Sequence, residues 1–216
     1  IVGFYGLVGA GKTELVRAIY GADPYEGEII YKGEKLGCSP EKTISAGIAL
    51  VPEERRTQGL FTMLTVKHNI SVMNLRRISK FGLLNTFQER STAKEFIGRL
   101  NIKTDSMEKE TSKLSGGNQQ KVVFSKCLFA NADLLLLDEP TRGIDVGAKS
   151  EIYSIIRGLA REGKAVLFFS SELPEILHSC DRIYLLYEGV VKAELKNGEG
   201  IDMQEIIRIV TGGNAA

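Results

Sequence analysis

The chain has 216 residues, 28 basic and 27 acidic side chains, and a formal net charge of +1. That balance, with no basic stripe, argues against a partner held by its phosphate backbone, and there is no run of about 18 apolar residues to cross a bilayer. Cys38, Cys127 and Cys180 follow no spacing pattern, which points to reduced thiols rather than a disulfide scaffold.

In chain order, residues 1–5 (IVGFY) read as a buried strand. Residues 13–20 read as a helix with Leu15, Val16 and Ile19 on one face. Between them stands GLVGAGKT, a complete G-x-x-x-x-G-K-[ST] phosphate loop made of Gly6, Leu7, Val8, Gly9, Ala10, Gly11, Lys12 and Thr13. A triphosphate needs many donors at short range. Gly6, Gly9 and Gly11 let the backbone turn and bring its amides close. The helix N-terminus favours an anion. Lys12 can reach the β- and γ-phosphates, and the Thr13 hydroxyl can bind Mg²⁺.

Residues 27–36 alternate like a short hairpin with Lys32-Gly33 near its turn, and residues 48–51 read as a strand leading to Glu53. Residues 55–60 (RRTQGL) read as a loop, and residues 65–77, 86–100 and 118–130 as helices. Residues 54–132 thus form a helix-rich insert in a nucleotide core of residues 1–53 and 133–216. Inside it, Arg55-Arg56 and Phe61/Met63 admit two readings. They are a solvated pair and core residues, or they border a groove that receives a short partner helix.

Ser115-Gly116-Gly117 opens the last of these helices. It is either a plain N-cap or a second anion site built from the Ser115 hydroxyl and glycine amides. One chain cannot easily wrap both this turn and its own phosphate loop around a single nucleotide. The anion reading therefore implies two domains set head to tail.

Leu134 to Leu137 are four consecutive leucines followed by Asp138-Glu139-Pro140, which reads as a strand buried on both faces or as part of a buried helix, with Pro140 and the acids favouring a strand end. Ligands of open α/β sheets sit at the carboxyl ends of strands. Asp138 is then placed to hold Mg²⁺ and Glu139 to polarise an attacking water, with Lys12 assisting. Residues 147–162 read as a helix, 165–170 and 182–187 as strands, and 201–210 as a final helix before a frayed GGNAA tail.

With these motifs in this order, the chain resembles the nucleotide-binding domain of ABC transporters. GLVGAGKTELVRAIYG, VPEERRTQGL, LSGGNQQKVV, DEPTRGIDVGAKSEIY and SSELPEIL are similar to one subgroup, the C-terminal ATPase domain of bacterial monosaccharide importers of the ribose/galactose/xylose type. The resemblance covers nearly the whole chain. It implies an α/β P-loop NTPase fold: a RecA-like core with a mainly parallel sheet flanked by helices, a helical insert and a small antiparallel β portion. It also implies ATP and Mg²⁺ as ligands, and ATP hydrolysis coupled to transport. The partners it implies are a second ATP-binding domain, transmembrane permease subunits and, indirectly, a sugar-binding protein. Nucleic acid is not among them. The expected place is peripheral, on the cytoplasmic side of the bacterial plasma membrane.

By this resemblance Ser115, Gly116, Gly117, Asn118 and Gln119 contact ATP held by the other domain, and Asp145 is the aspartate that crosses the domain interface. Glu53 falls where most relatives carry a glutamine that senses Mg²⁺ and the membrane partner. Ser171 falls where most carry a histidine that contacts the γ-phosphate. Serine cannot hold an imidazolium charge, and neither His68 nor His178 is placed to substitute. The implication is a domain that binds ATP but turns it over poorly at its own site. The family's adenine-stacking aromatic comes from strands upstream of Ile1, so the chain looks like an N-terminally truncated fragment. The competing readings are a non-transport ABC ATPase, which would bring long insertions or basic faces, and a regulatory ATP-binding module.

Overall fold

The computed structural model describes residues 1–198 and 201–213. In chain order the elements are β1 (Val2–Tyr5), α1 (Lys12–Tyr20), β2 (Ile30–Tyr31), β3 (Glu34–Lys35), α2 (Pro40–Ser45), β4 (Ile48–Val51), α3 (Val66–Ser71), β5 (Ser79–Lys80), β6 (Leu83–Leu84), α4 (Thr86–Arg99) and α5 (Gly116–Phe129). They continue with β7 (Leu134–Asp138), α6 (Val146–Arg161), β8 (Ala165–Ser170), α7 (Leu173–Ser179), β9 (Arg182–Tyr187), β10 (Val190–Lys196) and α8 (Met203–Val210).

By their contacts these residues form two compact units. The first joins Ile1–Leu50, Asp133–Glu139 and the chain from Ile156 onward. Its sheet runs in the order β10-β9-β1-β8-β7-β4. The pairs β9/β1, β1/β8 and β8/β7 are parallel, and β10/β9 is antiparallel. All five residues of β7 are buried, which is why four leucines can follow one another. Leu134 and Leu136 pack with Val16, Leu36, Ile48 and Phe169 in one core cluster. Phe4 of β1 stacks on Phe169 of β8 at 4.4 Å. These contacts set the C-terminal ends of the interior strands β1, β8 and β7 side by side, and those ends carry the phosphate loop, Ser170-Ser171 and the acids.

The second unit comprises Val51–Ala132 and Pro140–Ile155. The segment after the acids, which the chain-order reading keeps with the core, is thus grouped with the helical insert. Here α3, α4 and α5 bury Ile70, Ala93, Val122, Val123 and Phe124 completely, and Phe96 meets Phe129 edge to face at 6.2 Å.

Several local expectations change. Residues 55–60 are not an open loop: Arg55–Gly59 make one wide helical turn, with the Gln58 amide donating to the Glu54 carbonyl at 2.9 Å. Nothing in this polar stretch is periodic; Arg55 fixes the turn by donating to the Arg142 and Gly143 carbonyls, at 2.7 and 3.0 Å. The helix expected over 65–77 ends as α3 at Ser71 and continues as a 3₁₀ stretch, Val72–Ile78, kinked at Asn74 (φ −145°, ψ 56°). Arg77 holds that stretch by donating to the Phe129 carbonyl and the Asn131 side chain.

Strand β10 escaped the sequence reading because it lies at the sheet edge with mostly exposed side chains, so no apolar alternation marks it. The final helix starts at Met203, where the Asp202 carboxylate accepts from the Gln204 and Glu205 amides. Of the GGNAA tail, residues 214–216 lie outside the described residues. Cys38 is exposed, while Cys127 and Cys180 are buried, and all three are reduced rather than joined in disulfides. Burial pushes the Cys127 thiol up to about 11 and that of Cys180 up to about 12, so neither is a nucleophile.

Candidate functional site

In the first unit the phosphate loop joins β1 to α1. Gly9 and Gly11 have φ of 84° and 93°, in the left-handed region that a side chain disfavours. A Cβ on Gly11 would stand 2.9 Å from the Gly189 Cα, whereas one on Gly9 would meet nothing within 4 Å. The loop is therefore closed on one side by protein and open on the other, as an anion cradle must be. Lys12 is 6% exposed, and its ammonium donates to the Gly6 and Leu7 carbonyls at 2.8 and 3.0 Å. Burial holds its pKa below the ordinary lysine value, while the Glu139 and Asp138 charges oppose that fall. Glu139 Oε1 lies 3.8 Å away.

The Thr13 hydroxyl donates to Asp138 Oδ1 at 3.5 Å. A hydroxyl and a carboxylate side by side, next to a phosphate cradle, are the hard oxygen donors that Mg²⁺ takes together with substrate oxygens. The donor set therefore fits that ion. Asp138 is only 3% exposed, and burial pushes its carboxyl up to about 6. The Glu139 charge adds to the rise, and the Thr13 bond and Lys12 work against it.

This shift carries a stability cost with a defined pH window. The folded carboxyl keeps its proton to higher pH than the unfolded one, so stability falls as pH climbs from 3.8 through about 6. At pH 8 the penalty is about 3 kcal/mol, and at pH 5 roughly half of that. Asp138→Asn keeps the oxygen that Thr13 donates to and removes the charge. Without nucleotide or Mg²⁺, it should melt several degrees above the parent at pH 8, with the gap shrinking at pH 5. Thermal melts at the two pH values check this; a gap that does not shrink counts against the buried charge.

Glu139 is held from several sides. Its φ is 44°, and its amide donates to the Phe169 carbonyl at 3.0 Å. Its Oε1 accepts from the Ser171 backbone amide at 2.8 Å, and the Ser170 hydroxyl lies 3.4 Å from its Oε2. Ser171 thus reaches the acid through its main chain. Ser170 was missed: at 0% exposure, ending a hydrophobic strand, it gives no sequence signal.

The second unit carries the other motif. Ser115 is exposed and precedes the first turn of α5, whose amides point out of the helix N-terminus. Its side chain makes no cap bond to the helix backbone; its Oγ accepts from the Asn118 side-chain Nδ2 at 2.9 Å. Only at Gly117 is a side chain barred by an atom that cannot give way, whereas at Gly116 the nearest atom is the far end of the flexible Arg55 side chain. A Cβ on Gly116 would lie 2.7 Å from the Arg55 Nη2, and one on Gly117 2.6 Å from the Ala148 Cβ. Gln119 does not join the exposed turn. It is 0% exposed and donates to the Thr111 carbonyl at 3.0 Å, while its oxygen accepts from Arg56. It reads as a brace of the turn rather than a ligand contact.

Asp145 is exposed, and its Oδ1 accepts from the Ala148 amide at 2.9 Å, capping α6. Ser115, Gly117, Asn118, Asp145 and Gly147 line one concavity of about 280 Å³. Glu53 is paired with Arg142, which also lies 3.8 Å from Glu54. The carboxylate at this position is therefore partly neutralised, which the sequence could not reveal because Arg142 lies far along the chain. Phe61 and Met63 are 55% and 76% exposed, so they are not core residues. Arg55 and Arg56 are braces rather than a solvated pair. His68 is half-buried on α3, and the exposed His178 ring lies 2.7 Å from the Arg157 guanidinium.

Residues 1–142 match the protein-family model described as ABC transporter. The ribose import ATP-binding protein RbsA of Geobacillus kaustophilus is 44% identical over 216 residues, covering 99% of this chain and 44% of that protein. The xylose import ATP-binding protein XylG of Moorella thermoacetica is 47% identical over 99% of this chain and 42% of its own length. The L-arabinose transport ATP-binding protein AraG of Geobacillus stearothermophilus is 46% identical over 98% and 42%. The chain therefore spans less than half the length of these relatives. Among solved structures, a nucleotide-free ATP-binding cassette from an ABC transporter superposes with a TM-score of 0.77 at 18% identity, over 98% of this chain and 83% of that one. A dimeric bacterial ABC transporter cassette gives 0.77 at 24% identity, over 92% and 85%. These two likenesses speak for the fold.

Proposed function

Because the chain belongs to the ABC transporter family, we propose that it is the ATP-binding and ATP-hydrolysing motor of a monosaccharide importer. The observation that carries this reading is the phosphate loop with Lys12 inside it and Thr13, Asp138 and Glu139 at its mouth. The amides from Gly6 to Gly11 and the Lys12 ammonium bind the phosphates. Thr13 and Asp138 hold Mg²⁺, which when bound neutralises phosphate charge. Glu139 orients the attacking water and takes its proton.

The exposed turn of Ser115, Gly116 and Gly117, with Asn118 beside it, closes on ATP carried by a second ATP-binding domain, and Asp145 lies at that seam. Both ideas are supported by the exposure of Ser115 and Asp145. Phe61 and Met63 meet a transmembrane permease, consistent with their exposure. Sugar selection belongs to the permease and an associated sugar-binding protein. The motor works from the cytoplasmic face of the plasma membrane; among the described residues no helix is long and apolar enough to cross a bilayer.

Ser171 favours a finer reading. A serine at the switch position carries no charge to the γ-phosphate, so this domain's own site hydrolyses slowly while its Ser-Gly-Gly turn completes the faster site opposite. In the assembled importer, Glu139→Gln should then lower transport severalfold less than Ser115→Arg. Sugar uptake into vesicles measures both, and equal or reversed losses would remove the asymmetry. Without any ATP-dependent uptake, the importer reading itself falls.

A further inference from the structure

We propose that Ser170 is the positioning residue for Glu139, its buried hydroxyl acting with the Ser171 backbone amide to hold the carboxylate that activates water. The inference rests on Glu139 being that base. It adds a residue to the mechanism and explains how the acid stays oriented where the switch position carries a serine.

Ser170 ends β8 with 0% exposure. Its oxygen lies 3.4 Å from Glu139 Oε2 and 3.0 Å from Glu175 Oε2, and it accepts from the Glu172 amide at 3.0 Å. A serine hydroxyl has one hydrogen to give. With a lone pair taken by the Glu172 amide, that hydrogen goes to one carboxylate or the other. The shorter distance gives it to Glu175 in this geometry, and a rotation of the hydroxyl gives it to Glu139. Glu175 is itself 3% exposed, a buried acid that apolar packing alone does not require. Glu139 Oε1 is meanwhile held by the Ser171 amide at 2.8 Å. The Ser171 amide thus holds one oxygen of the acid, and the Ser170 hydroxyl reaches the other once it turns from Glu175.

The plainer alternative is that Ser170 only fixes the turn leading into the short helix α7 through the Glu172 amide. That accounts for one of its three contacts and leaves the two carboxylates unexplained. The two views separate on rate against affinity. A turn brace acts on stability, whereas a positioning group acts on the hydrolytic step alone.

The test uses the assembled transporter, with the second domain's own catalytic carboxylate removed so that hydrolysis reports this site. Single-turnover hydrolysis of bound ATP gives the rate, a fluorescent ATP analogue gives affinity, and melting curves give stability. Ser170→Ala should slow hydrolysis about tenfold, leaving affinity within about twofold. Ser170→Thr, which keeps the hydroxyl, should recover at least half the rate. If the alanine variant melts, Ser170→Cys, of similar size and a weak donor, takes its place with the same expected loss. A rate equal to wild type, a loss that appears in affinity instead, or no recovery in a folded threonine variant overturns the proposal. So does a wild-type rate no higher than that of Glu139→Gln, since nothing would then be positioned. Failure of the wild type to bind the analogue strikes the ATP-binding reading itself, a separate and recognisable result.

Discussion

Replacing Lys12 by methionine should reduce ATP affinity at least 100-fold while leaving the chain folded. The ammonium is almost wholly enclosed and bonded to the Gly6 and Leu7 carbonyls. It is therefore already positioned inside the loop, and binding phosphate requires a short swing rather than the ordering of a free side chain. Charge-assisted bonds contribute about 1.5–3 kcal/mol each, so losing two of them to phosphate oxygens gives a factor of this size. The effect on folding is smaller because two contributions oppose each other. Methionine relieves the desolvation that depresses the lysine pKa, and it leaves the two carbonyls without their donor. We expect a net change of about 1–2 kcal/mol, read from denaturant midpoints. Nucleotide titration is the decisive measurement; binding within threefold of wild type would mean that the loop amides alone carry the affinity.

Gly117→Ala should abolish ATP-driven uptake, with a stability loss of about 1–3 kcal/mol for overpacking. Its new methyl would stand 2.6 Å from the Ala148 Cβ, and Ala148 has no flexible end that could yield. The first turn of α5 must therefore move against the start of α6. That movement displaces the surface carrying Ser115 and Asp145, both of which line the same concavity. Ser115 is exposed and bonded through Asn118, so Ser115→Ala should lower uptake with almost no change in melting temperature. Paired measurements of uptake and melting distinguish displacement of the turn from loss of its hydroxyl. A Gly117→Ala variant that transports at the wild-type rate would mean that this turn touches no nucleotide.

Much of the chemistry was legible in the sequence because it depends on short-range demands. A loop whose amides must converge needs glycines at set spacings, and Gly9 and Gly11 do adopt left-handed φ. A strand buried on both faces reads as unbroken leucine, and β7 is buried at every position. An acid pair directly after such a strand can only stand at its C-terminal end.

Tertiary structure decided what joins residues far apart in the chain. Arg142 neutralises Glu53, and Arg55 crosses to the Arg142 and Gly143 carbonyls, neither of which any local pattern marks. Gln119 lies only two residues past the Ser-Gly-Gly turn in sequence, yet the helical phase turns it into the interior, where the Thr111 carbonyl accepts from its side-chain amide. Ser170 closes a hydrophobic strand and acquires its place only because parallel pairing of β7 with β8 brings it beside Glu139. The sequence determines which groups can do chemistry, since that is a property of residue type and backbone freedom. Which of them meet is set by sheet register and helix phase, which depend on the packing of the whole chain.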